Sequence, residues 1–247
     1  MLPLHLETAH DGALLSAGNI DGFVEELLIR IGCREPPVDA FRVAREVGLS
    51  VLTDCGMVER GRRQIVGGTD VIFVRPEPRP ERLQWTVAHE LGEALFVSPS
   101  ADSFDEDDDL SRAREEFANT FAARLLLPQA WLRSDFADRP RDLCWFKQRY
   151  ATASCELIVT RWLDLVETAI VSIFDQRRLT RRAWRQPRRP PPLQPGERAC
   201  LDQLWNQRRP AVLVNDSLHI HGWPIDEAGW CRDILWTEPA AEEFGVP

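Results

Sequence analysis

The sequence predicts an α+β fold, with helices packed on a small sheet of about three strands and a C-terminal extension. Three observations carry this. Apolar residues recur at helical spacing over residues 20–31 and again around residues 80–98 and 111–127. Short runs rich in β-branched residues lie between the second and third predicted helices and are punctuated by glycine. The chain has 247 residues, 44% hydrophobic and 28% charged, the balance of an ordinary globular protein with enough material for a core.

The elements follow in order. Residues 20–31 form a first amphipathic helix. Pro36 and Pro37 break the chain, and Asp39 is suited to cap a second helix that runs through Val47. Gly48 ends that helix and opens a strand through Thr53. Two more strands are expected near residues 64–66 and 71–75, joined by Gly67-Gly68. A helix then starts near Pro80 or Arg82 and ends before Pro99. The acidic run 102–109 reads as a solvated loop, and Ser111 caps a further helix that Pro128 stops after Leu127. Trp131 and Leu132 can still pack on the core beyond it. Two helices are expected between residues 141 and 165, and a strand over residues 169–174.

Residues 177–195 hold seven arginines and five prolines and read as a linker. The expected division is therefore a main domain over 15–175, a linker over 176–198 and a small extension over 199–247. That extension contains a strand at 211–214 and four of the nine tryptophans.

Bulk properties exclude several functions. No apolar run reaches the roughly 18 residues that a membrane helix needs. The N-terminal Met1-Leu-Pro-Leu-His-Leu-Glu7 has no basic segment leading into an apolar one, so no secretory signal is expected and the cytoplasm is the expected location. A net charge of −9 argues against direct nucleic-acid binding. Cys33, Cys55, Cys144, Cys155, Cys200 and Cys231 are scattered without a C-x-x-C pair and are expected to be reduced and mostly in the core. Arg177 to Arg189 could contact phosphates, but a strand edge and solvated linker explains the cluster more simply. The helices of 141–165 could imitate a helix-turn-helix, but their tryptophans and leucines are better explained by packing on the other helices.

The chemistry lies in Thr86-Val-Ala-His-Glu-Leu-Gly-Glu-Ala-Leu-Phe96. In an H-E-x-x-H helix two histidines one turn apart bind one metal, and the glutamate beside the first serves as general base. Here His89 and Glu90 are in place and Glu93 stands at the second ligand position. Positions i and i+4 differ by about 40° in azimuth, so His89 and Glu93 share a face.

His89-Glu-Leu-Gly92, followed by E-x-x-A-N-x-F-A-A-x-L-L-x-P over residues 115–128, resembles the ImmA/IrrE family of bacterial metallopeptidases. The upstream Pro36-Pro-Val-Asp-Ala-Phe-Arg-Val-Ala-Arg-Glu-Val-Gly48 is also similar to that family. The resemblance spans about residues 20–135. It implies a zincin-like domain in which His89 and Glu115 are metal ligands, Glu90 is catalytic, and Glu93 replaces the second histidine. It implies zinc as the cofactor and a protein substrate, a helix-turn-helix transcriptional repressor whose cleavage relieves repression in a stress response or in mobile-element control. Glu116, the neighbour of Glu115, points about 100° away from it.

Glu93 changes the expected chemistry. A carboxylate binds zinc at nearly the distance of an imidazole, but two carboxylates and one histidine cancel the charge of a divalent ion. The ion becomes a weaker Lewis acid, and the oxygen-rich set moves preference toward Mn²⁺ or Fe²⁺. An active peptidase, a weakened one, and a non-catalytic module that binds a regulator all remain open. His219 and His221, on one side of an expected strand, are candidates for a rescue ligand. His5 and His10, near the N-terminus, rank below them.

Overall fold

A computed structural model of the protein describes residues 19–96, 107–227 and 229–240. The fold is mixed α and β, and the chain divides into two compact units, Met1–Asp138 with Cys144–Ser154, and Arg139–Leu143 with Cys155–Pro247.

The first unit opens with α1 (Ile20–Arg30) and α2 (Ala40–Glu46). Asp39 caps α2, its carboxylate accepting from the Phe41 N–H at 3.0 Å, which satisfies a donor the helix cannot. The expected small sheet follows as β1 (Ser50–Thr53), β2 (Gly61–Val66) and β3 (Thr69–Val74), in the order β1-β3-β2. Gly67 and Gly68 have φ of 59° and 82°, as a two-residue hairpin between β2 and β3 requires. Central β3 buries Val71, Ile72 and Val74, while β1 and β2 are edges.

Helix α3 (Pro80–Leu95) begins on a proline, which fits the first turn because its missing N–H has no helical partner there. It buries Val87, Ala88, Leu91 and Leu95 and packs against α4 (Asp107–Leu126). Helix α4 starts earlier than the expected Ser111, at Asp107. Residues 102–106 of the acidic run, along with His5 and His10, lie outside the described residues.

Pro128 ends α4 as expected, but it also starts a helix that the sequence reading lacks, α5 (Gln129–Asp138). The Pro128 carbonyl accepts from the Leu132 N–H at 2.9 Å, so the residue that breaks one helix anchors the next. Leu132 is fully buried. The expected pair of helices after residue 141 is α6 (Leu143–Arg149) and α7 (Cys155–Trp162).

The second unit is built on one antiparallel sheet, β4 (Ile170–Asp175), β5 (Arg178–Ala183), β6 (Ala211–Val214), β7 (Leu218–Glu227) and β8 (Trp230–Pro239), in the order β5-β4-β8-β7-β6. Helix α8 (Pro195–Gln207) covers one face with Cys200, Leu201 and Leu204 against Phe174, Ile220 and Leu235. The stretch read as a linker thus contains β5 and the start of α8. Three of its seven arginines form ion pairs: Arg182 with fully buried Glu197, Arg181 with Glu156 and Arg185 with Asp164.

Trp162 packs edge-on against Trp223 and Trp236 of this sheet, with ring centroids 6.0 and 5.7 Å away. One further expectation changes. All six cysteines are free, but only Cys200 is buried, whereas Cys55 and Cys144 are exposed. No described helix is long and apolar enough to cross a membrane.

Candidate metal centre

The site forms where α3 crosses α4. Two small residues bring the helices together: a Cβ on Gly92 would stand 2.9 Å from the Cα of Ala118. Both belong to the stretches that carry the family resemblance, and their smallness lets side chains one turn away on each helix converge.

His89 and Glu93 of α3 and Glu115 of α4 offer ligand atoms that all lie within 4.8 Å of one another. His89 Nε2 is 3.7 Å from Glu93 Oε1 and 3.5 Å from Glu115 Oε2. Those gaps are too long for hydrogen bonds. They approach the spacing of about 3.3 Å between two donors held about 2.0–2.1 Å from a tetrahedral zinc. Each carboxylate also has its other oxygen occupied. Arg114 Nη2 donates to Glu93 Oε2 at 2.9 Å, and Asn119 Nδ2 donates to Glu115 Oε1 at 2.9 Å. One oxygen of each is therefore turned toward the histidine. His89 Nδ1 is buried and has no hydrogen-bond partner among the described residues. The donor set of one imidazole and two carboxylates suits a divalent transition ion.

Glu90, next to His89 on α3, is 8% exposed. Its carboxylate abuts the backbone of β2, for a Cβ on Gly61 would fall 2.5 Å from Glu90 Oε1. Burial raises its pKa above the ordinary carboxylate value, and the charges of Glu93 and Glu115 push the same way, against His89 and Arg114. A raised carboxyl pKa suits a group that exchanges protons near neutrality.

Residues 44–163 match the family model of the IrrE N-terminal-like domain, a peptidase family. This segment is an IrrE N-terminal-like domain. It contains α3, α4 and every site residue named above, so the family assignment and the geometry concern the same part of the chain. No curated protein matches the sequence. Among solved structures, a Mycobacterium tuberculosis transcriptional regulator is similar over 92% of this chain and 80% of its own, with a TM-score of 0.62 and 17% identity. At that identity the likeness is one of fold.

The IrrE N-terminal-like domain brings His89, Glu93 and Glu115 together as their spacing suggests, with Glu90 beside them. Glu116 is exposed and outside the group. His219 and His221 do not join it. They share a face of β7 and pack on each other, ring centroids 4.5 Å apart, with His221 stacked on Trp223. Sequence reasoning missed Arg114, Asn119 and Gly61. Asn119 lies inside the quoted motif, four residues after Glu115 and so on the same helix face, a signal that was available. Arg114 and Gly61 act across the fold and carry no local signal.

Proposed function

We propose that the protein is a metal-dependent endopeptidase with a zincin-like site. His89, Glu93 and Glu115 hold one divalent ion, and Glu90 is the general base. The observation that carries this reading is the convergence of three ligand atoms within 4.8 Å, next to a buried third carboxyl group, inside a peptidase family domain. The family favours zinc, while the second carboxylate favours Mn²⁺ or Fe²⁺.

The ion supplies Lewis-acid polarisation of the scissile carbonyl. Glu90 takes the proton of the attacking water and returns it to the departing amide nitrogen, as its raised pKa permits. Strand β2 is an edge with Ile65 and Val66 exposed, and Gly61 at its start touches Glu90. An extended peptide added to that edge would pass the general base. A complex with the Glu90→Gln variant in which the peptide lies elsewhere would refute this placement.

The substrate is a protein, a helix-turn-helix transcriptional repressor in the cytoplasm, cut once to relieve repression in a stress response or in mobile-element control. A relative in fold that is named a transcriptional regulator is in keeping with that setting. The test has two parts. Protein purified without chelator should carry about one equivalent of Zn, Mn or Fe. Incubation with the regulator encoded nearest the gene should give a cleavage that Glu90→Gln abolishes; an intact regulator with every metal tried rejects the enzyme. The second reading, a module that binds a regulator without cutting it, draws on the Arg114–Glu93 ion pair, which satisfies one ligand without a metal. It predicts regulator binding unaffected by Glu90→Gln and by chelator.

A further inference from the structure

Glu93 carries a charge where the related motif has a neutral imidazole, and the residue that answers this charge is on the other helix. Arg114 Nη2 lies 2.9 Å from Glu93 Oε2, while Glu93 Oε1 faces His89 Nε2 at 3.7 Å. The pairing is not a generic surface contact. Arg114 immediately precedes Glu115, so the chain turn that presents one ligand also presents the arginine to another. Its Nε is buried and without a hydrogen-bond partner among the described residues, while Nη2 is paired with Glu93.

We propose that Arg114 is a positioning residue that makes Glu93 act as a histidine: it occupies one carboxylate oxygen, leaves a single donor atom for the metal, and cancels the added charge. This rests on the metal site proposed above. A free carboxylate can bind an ion through both oxygens, which suits larger, oxygen-preferring ions. With Oε2 held by Arg114, only Oε1 is left, and one donor per residue is what a four-coordinate zinc takes. The charge changes in parallel. One histidine and two carboxylates around a divalent ion leave no net charge, and Arg114 brings the cluster back to the single positive charge of a two-histidine, one-carboxylate site. The Lewis acidity that Glu93 would remove is thereby restored.

The consequence is selectivity for zinc over manganese, which can be read without any substrate. Affinities for Zn²⁺ and Mn²⁺ are measured by competition with a chelating dye on the full chain, for the wild type, Arg114→Gln, Arg114→Lys, Glu93→His and the Glu93→His/Arg114→Gln double variant. Thermal unfolding of each establishes that it is folded. Arg114→Gln should narrow the zinc-to-manganese affinity ratio by about tenfold or more, the scale expected when a partner that orients a ligand is removed. Arg114→Lys, which keeps the charge but loses the fork, should recover part of it. In the Glu93→His background the same Arg114→Gln change should leave the ratio unmoved. A folded, metal-binding Arg114→Gln protein with the wild-type ratio overturns this role for Arg114 and leaves the metal site standing. A wild type that binds neither ion overturns both.

Discussion

Gly92 of α3 lies against the backbone of Ala118 of α4, so close that a Cβ on the glycine would stand 2.9 Å from the alanine Cα and 3.1 Å from the Phe121 ring. The helix separation, and with it the reach between His89 and Glu115, depends on that missing side chain. Gly92→Leu should drive the helices apart, lowering stability by about 1–3 kcal/mol through overpacking and metal affinity by about tenfold or more. Urea unfolding and competition titration measure the two effects. Wild-type values for both would show that the crossing is not what sets the ligands.

Gly61 separates positioning of the base from metal binding. Its Cβ would meet Glu90 Oε1 at 2.5 Å and Thr86 Cγ2 at 2.6 Å, so Gly61→Ala must displace the carboxyl group. Cleavage should fall by about a hundredfold, the usual consequence of misplacing a reacting group by about 1 Å. Bound metal should stay at the wild-type level by elemental analysis. Parallel loss of metal and activity would contradict the separation.

The second unit should show its own pH dependence. His221 is held neutral in the fold: burial lowers its pKa to about 4, with His219 and Arg141 acting in the same direction and Glu238 opposing. The unfolded chain takes up a proton near pH 6.5 that the folded chain refuses until about pH 4. The stabilisation is therefore full above pH 6.5 and is lost as the pH falls toward 4. Because the ring is only half-buried, its share is discounted to roughly 1–2 kcal/mol. His221→Phe, which keeps a ring against Trp223, should flatten the slope of urea stability between pH 7 and pH 4.5. An unchanged slope would remove His221 as its source.

Glu197 is the ionic centre of the same unit. It is fully buried, accepts from Arg182 at 2.9 and 3.0 Å and from Thr237 at 2.8 Å, and reaches back to the Gln194 N–H at 2.8 Å. Removing it leaves a guanidinium without its partner, so Glu197→Ala should cost about 3–5 kcal/mol. Metal content should be unaffected. A loss below about 1 kcal/mol in urea titration would mean that water or another acceptor replaces the carboxylate.

Local chemistry made much of the first unit legible. Asp39, Pro80 and Gly67-Gly68 each mark a boundary by a conformational preference that needs no tertiary context, and the structure uses all three. The spacing of His89 and Glu93 is likewise a property of one helix. What was not legible depends on partners distant in sequence. The arginines of β5 resemble a solvated linker until Glu197 and Glu156 are seen opposite them. Pro128 looks like a stop because its carbonyl, which starts α5, leaves no trace in the residue type. Arg114 pairs with a residue 21 positions earlier, a distance that only the helix crossing spans.

The ligands, the base and the arginine all fall between positions 89 and 115, so the centre closes within a short span of sequence. The second sheet does not: β4 pairs with β8, Ile170 opposite Thr237, and its middle is incomplete until that late segment has been made. Contacts close in sequence form faster than remote ones. During synthesis the metal centre should therefore be ready while the strand that completes the other unit has yet to leave the ribosome, and pulse-labelled hydrogen exchange on refolding chains should protect α3 and α4 before β8.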